Sequence, residues 1–234
     1  MSEFSFPPDQ FRQLATDVLQ HARKGGASAC ETDVSEGYGQ SVTVRKGEVE
    51  TIEFNRDKGI GVSVYLGQQR GHASTSDFSA ASIKATVDAA LSIARFTAAD
   101  PCAGLPVPEL LATNTEGGDL DLYHPWPFSV EEAIALARRS EQAAFAVSPL
   151  ISNSEGASVS AHAAHFISAN SLGFMGGYPS TRHSISCVPI ASKSKDMQRD
   201  DWYSGWRDPA DLAAPELIGD YAARRTLSRL GAKK

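Results

Sequence analysis

Ser41-Val42-Thr43-Val44-Arg45-Lys46-Gly47-Glu48-Val49-Glu50-Thr51-Ile52-Glu53-Phe54 decides how this chain is read. Apolar and polar residues alternate on both sides of Lys46-Gly47. At two residues per pleat, this marks two half-buried strands folded back on each other through a short turn. The polar cluster Asn55-Arg56-Asp57-Lys58-Gly59 predicts a second turn, and Ile60 to Leu66 a third run. Short connections make neighbouring strands antiparallel, so residues 41–66 read as a meander with one face to be covered. The cover follows directly. After Ser79, a predicted N-cap, Ile83, Val87, Ala90, Leu91 and Ala94 recur at helical spacing and form an apolar stripe.

Working outward, Pro7-Pro8 suit a first helical turn, and Phe11, Leu14, Ala15, Val18, Leu19 and Ala22 repeat on one face until Gly25-Gly26. Residues 29–38 read as a strand whose Glu31, Asp33 and Glu36 predict an exposed or edge position. Residues 68–76 offer a further strand. Past Ala94, Pro101, Pro106 and Pro108, then Asn114-Thr115-Glu116-Gly117-Gly118-Asp119, break all periodicity and read as a linker that ends at Pro125 and Pro127. Ser129 and Glu132 have capping-box spacing and open a helix that Ser148-Pro149 closes. A second strand-rich block spans residues 151–192, with turns expected at Glu155-Gly156, Asn170-Ser171-Leu172-Gly173 and Tyr178-Pro179. Residues 208–230 read as a final helix. The expected fold is α+β: two successive units of antiparallel meander sheet with packed helices, divided as 1–112 and 113–234.

Composition narrows the chemistry. The 234 residues carry a net charge of −6, which argues against a general affinity for phosphate backbones, so nucleic acid is not an expected partner. No apolar run approaches the ~20 residues of a membrane span, and the N-terminus has no basic n-region or apolar h-region. A cytoplasmic address is the expectation. Cys30, Cys102 and Cys187 form no C-x-x-C pair. None of the six histidines is followed by Glu. In a strand, His162 and His165, three apart, point to opposite faces and cannot share an ion. There is no G-x-S-x-G elbow, Cys187 reads as a buried small hydrophobe, and Gly59-Ile60-Gly61 lacks the third glycine of a dinucleotide loop. The residues therefore predict neither a catalytic group nor a metal ligand in this chain. Arg182, Lys193, Lys195 and Arg199 lie beside Trp202, Tyr203 and Trp206, a composition suited to a partner-facing or a merely solvated edge. The frequent Gly, Ala and Ser of the second strand block suit tight packing of sheet on sheet and equally, over residues 157–169, an extended peptide received by edge pairing.

Longer words then become recognisable. Asn55 to Val62, Ala73-Ser74-Thr75-Ser76-Asp77 and Ala94-Arg95-Phe96-Thr97 resemble the N-terminal region of the TldD/PmbA family of metallopeptidase-like proteins. Ser152-Asn153-Ser154-Glu155-Gly156-Ala157, Gly176-Gly177-Tyr178-Pro179-Ser180-Thr181-Arg182-His183-Ser184 and Met197-Gln198-Arg199-Asp200 resemble its PmbA branch, also called TldE. The resemblance implies a subunit of a cytosolic two-subunit peptidase that degrades or processes unfolded and short peptides. It implies zinc in a TldD-like partner, held by an H-E-x-x-x-H helix and a cysteine, and no cofactor in this chain. It also implies a C-terminal metallopeptidase-like domain that would follow the position of Lys234 and is absent here. On this reading the chain is non-catalytic and serves substrate admission and pairing. The alternatives are a zinc-dependent peptidase using His162, His165 or His183, and a truncated peptide-binding regulatory module. Asn55, Arg56, Glu155, Asn170 and Arg182, each at or beside an expected turn in a matched word, are the candidate substrate or partner contacts.

Overall fold

The computed structural model describes residues 4–112 and 120–232. The expected linker cluster at residues 114–119, and the first residue after the 112/113 division, lie outside the described residues. Helix α1 (Pro8–Lys24) precedes strands β1 (Ala29–Arg45), β2 (Glu48–Leu66) and β3 (Gln69–Thr75), then α2 (Ala80–Phe96). After the linker come α3 (Val130–Val147), β4 (Ile151–Asn170), the short β5 (Met175–Gly176), β6 (Pro179–Lys193), β7 (Asp196–Arg199), β8 (Trp202–Trp206) and α4 (Pro215–Ser228). The class is the expected one, helices packed on antiparallel sheet, and both strand blocks join a single eight-stranded sheet of order β3-β2-β1-β4-β6-β7. In it β5 adds to β4 and β8 to β6.

The helices begin where local chemistry dictates. The Ser79 hydroxyl accepts from the Ser82 amide, and Ser129 and Glu132 form the reciprocal capping box. Lys46 and Gly47 both have positive φ, as a two-residue turn matched to strand twist requires. The turn is clamped from α3: buried Glu141 accepts from the Lys46 and Gly47 amides at 2.8 Å each, and Arg138 Nε donates to the Gly47 carbonyl at 2.8 Å. The final helix starts later than its sequence suggests. Asp208 caps only a 3-10 turn at Pro209–Asp211, and α4 opens at Pro215.

Four expectations about the strands are corrected. The cluster at residues 55–59 does not turn, because β2 runs straight through it, paired with β1 from Glu48 to Tyr65. Cross-strand hydrogen bonds to β1 override local turn propensity, and the polar side chains are accommodated because this part of β2 is solvent-exposed. Residues 29–38 do not form an edge. Strand β1 is central, clasped by β2 on one side and β4 on the other, and Glu36 is only 2% exposed. Nor is 157–169 available for edge pairing, since β4 is flanked along that length by β1 and β6. Glu155-Gly156 marks a register shift inside β4 rather than a turn.

Even-numbered residues of β1 are buried beneath the helices and most odd-numbered ones face the open side. Two apolar cores share this strand. One gathers Val34, Val62 and Ile167 under α1 and α2, and the other gathers Val42, Val159 and Ile185 under α3 and α4. In the second core α3 and α4 pack through alanines and Gly219, where a Cβ would lie 1.9 Å from the Ser140 carbonyl oxygen. Gly219→Ala is therefore expected to force the helices apart and cost about 1–3 kcal/mol, read as a lowered urea midpoint at unchanged m-value.

Candidate functional site

The uncovered face of the sheet carries one row of interest. Asn55 on β2 lies opposite Gly39 on β1, Gly39 opposite His162 on β4, and His162 opposite Arg182 on β6. Cross-strand partners share a face, so these four residues cross the open side as one line. The glycine brings its neighbours together: a Cβ at Gly39 would lie 2.0 Å from His162 Nδ1 and 2.7 Å from Asn55 Oδ1, so both side chains lean over the space that Gly39 leaves. Asn55, His162 and Arg182 are exposed, and none makes a side-chain hydrogen bond or ion pair among the described residues. Small residues border the row, with Ser41, Ser160 and Ser184 before it and Gly37, Ala164 and Ser180 after it. At the β6 end it opens into a polar cavity of about 430 Å³ lined by Arg182, Asp121, His124, Trp206, Arg207 and Asp208.

At the β2 end the row reaches an open edge. Strand β3 covers only residues 60–66 of β2, so residues 48–59 have no strand on their outer side among the described residues. Val49, Ile52 and Phe54 are exposed along this edge, Phe54 by 68%. An exposed edge with apolar side chains is a template for pairing with another extended chain.

The candidate contacts separate by role. Asn55 and Arg182 join the row. Arg56 points to the helix side, where it donates to Glu36 at 2.8 Å, to Ser5 Oγ, and stacks on Tyr38. Asn170 accepts from the Leu172 and Phe174 amides and holds the turn after β4. Glu155 pairs with Arg199 at 2.5 Å. His162 completes the row, and its pairing with Gly39 depends on a register that no local sequence signal reveals.

Glu36 is a buried charge held by several donors. Its carboxylate accepts from the Ser5 amide at 2.9 and 3.0 Å and the Phe6 amide at 3.2 Å, besides Arg56, and His165 Nε2 approaches to 3.5 Å. Burial alone would raise this carboxyl, but the Ser5 and Phe6 donors and His165 outweigh it and hold the group below the usual carboxylate range. Burial pushes the His165 imidazole down against the pull of Glu36, and the ring lies stacked on Phe11 and against Phe4. Glu36 thus pins residues 5 and 6 to the sheet.

The three histidines of the zinc alternative do not gather: His162 is exposed on the open face, while His165 and His183 are buried on the other. Among the described residues no three metal-capable side chains come together. Burial pushes the Cys30 and Cys187 thiols up to about 12, which leaves both protonated and inert near neutrality. Among the described residues no helix is long and apolar enough to cross a membrane.

Comparison with known proteins decides the family. Residues 30–94 match the family described as PmbA/TldA metallopeptidase domain 1, and residues 123–230 its central domain. The chain belongs to the PmbA/TldD family. It is 47% identical over 220 residues to Metalloprotease PmbA of Escherichia coli O157:H7, covering 94% of this chain and 48% of that protein. It is 40% identical over 225 residues to the Metalloprotease PmbA homolog of Haemophilus influenzae, covering 96% and 49%. The chain spans about half the length of these relatives. Among solved structures, a Bacteroides thetaiotaomicron protein named for modulation of DNA gyrase superposes with a TM-score of 0.86 at 22% identity, over 97% of this chain and 51% of that one. TldE from Thermococcus kodakarensis superposes at 0.68 with 13% identity, over 92% and 47%.

Because the folded-state value of Glu36 is depressed, its contribution to docking of residues 5–6 is complete above the unfolded carboxylate value of about 4.3 and is lost as pH falls through the lower folded value. Amide-exchange protection at Ser5 and Phe6 is expected to hold from neutral pH to about 5 and to fall in stronger acid. Glu36→Gln should weaken it at pH 7.

Proposed function

We propose that this chain is the substrate-admitting part of a PmbA/TldE-like subunit, non-catalytic in itself, which holds unfolded or short peptides and pairs with a zinc-bearing TldD-like partner in the cytoplasm. The observation that carries the reading is the edge of β2 at residues 48–59, open among the described residues, beside a polar row whose side chains have no hydrogen-bond or ion-pair partner among them. A peptide added there is held by main-chain hydrogen bonds, with side-chain pockets secondary. Such binding tolerates many sequences and favours substrates whose backbone is already free. Most backbone groups of a folded protein are already paired within it.

Asn55 lies on the edge strand, so the row leads inward from the captured backbone, over Gly39 and His162, to Arg182 and its cavity. Amide, imidazole and guanidinium provide donors and an acceptor for a peptide's carbonyl and side-chain groups. Bond cleavage is assigned to the partner, in keeping with a row that holds polar groups but no activated nucleophile.

Ile52 and Phe54 are exposed, so replacing both with Lys should leave the urea midpoint unchanged while blunting the edge. The double variant is expected to bind a fluorescein-labelled, carboxymethylated, C-terminally amidated unfolded polypeptide about fivefold more weakly, measured by anisotropy. Unchanged affinity would overturn the edge as the capture site.

A further inference from the structure

We propose that the aromatic-walled cavity beneath residues 4–8 is a pocket for the C-terminal residue of a peptide, with the apolar side chain against its walls and the terminal carboxylate on Arg12. The proposal rests on the peptide-handling reading above and specifies which end of the peptide is recognised. The cavity measures about 500 Å³ and lies on the helix side of the sheet, away from the polar row. Phe4, Phe6 and Tyr123 contribute aromatic walls, and His165 and Ile167 of β4 line it from below. That volume accommodates a large side chain together with its own backbone.

Charge decides the occupant. Arg12 is the one Arg, Lys, Asp or Glu lining the cavity, is half-buried, and makes no side-chain hydrogen bond or ion pair among the described residues. The nearby Glu36 carboxylate cannot serve it, being occupied by the Ser5 and Phe6 amides and Arg56. A guanidinium at the mouth of an apolar cavity matches a carboxylate on an apolar body, and its planar fork takes both oxygens. The sequence word Gly176-Gly177-Tyr178-Pro179 gains a physical role here. A Cβ at Gly177 would lie 1.8 Å from the Phe166 carbonyl oxygen, so glycine lets this segment lie directly on β4 and close one side of the cavity.

The test is calorimetric titration of the chain with N-acetyl-Ala-Phe, with the same dipeptide as its C-terminal amide, and with 3-phenylpropanoate. The free acid is expected to bind at least about tenfold more tightly than the amide, and more tightly than 3-phenylpropanoate, which lacks the peptide backbone. Arg12→Gln, which keeps a good helix former in α1, should bring the acid to the level of the amide with an unchanged melting temperature. Equal binding of acid and amide, binding of neither, or a preference that survives Arg12→Gln would overturn the proposal. Equal binding of 3-phenylpropanoate would reassign the cavity to free apolar carboxylates and overturn the peptide assignment. Arg12→Gln should still bind the amidated unfolded polypeptide at the β2 edge, so failure of this pocket is distinguishable from failure of the capture reading.

Discussion

Strand β1 is held on both sides, by β2 from the first half of the sequence and by β4 from the second, and this double pairing is the constraint on which the rest depends. Separate sheets would leave two half-covered layers and edges along both β1 and β4. Joined, they give one sheet whose helix side is divided along β1 into two apolar cores, with Glu36, Tyr38 and Gln40 buried between them. A charge in that position is costly unless its lone pairs are filled. Ser5, Phe6 and Arg56 fill them, so the start of the described chain is anchored by a charge at the centre of the sheet.

The same pairing creates the open face. Register places Asn55, Gly39, His162 and Arg182 in line, and the missing side chain at Gly39 lets its neighbours converge. The two sides of the sheet therefore offer different chemistry. Among the described residues, the open side presents unpartnered polar groups beside an exposed backbone edge, suited to a peptide main chain, whereas the helix side presents an aromatic cavity with one unpaired guanidinium, suited to an apolar terminus. Neither requires a nucleophile or a metal from this chain. A subunit that, as proposed, holds peptide backbone has reason to carry hydrogen-bonding edges and small side chains rather than activated groups.

How much of this is legible in the sequence depends on whether the signal is local. The stripes of α1 and α2, the Ser79 cap, the Ser129-Glu132 box and the Lys46-Gly47 turn are set by residues within a few positions of each other, and each is readable. Asn55 to Gly59 has a turn composition but forms strand, because partners on β1 some twenty positions earlier outweigh it. Glu36 suggests an edge because carboxylates are rarely buried; its donors come from Ser5, Phe6 and Arg56, distant in sequence. Asn55 and Arg182 can be singled out from words they share with a family, but the row that joins them through His162 exists only once three strand registers are known. The alternation argument does separate His162 from His165, since it needs nothing beyond the pleat.

The central claim is that the outer edge of β2 takes up an extended peptide backbone. Hydrogen exchange of individual amides, with and without a saturating unfolded peptide, tests it most directly. The account predicts slower exchange at the outward-facing amides of residues 48–59, with residues 60–66, already paired to β3, little changed. Bound peptide with unaltered exchange across residues 48–59 would contradict it.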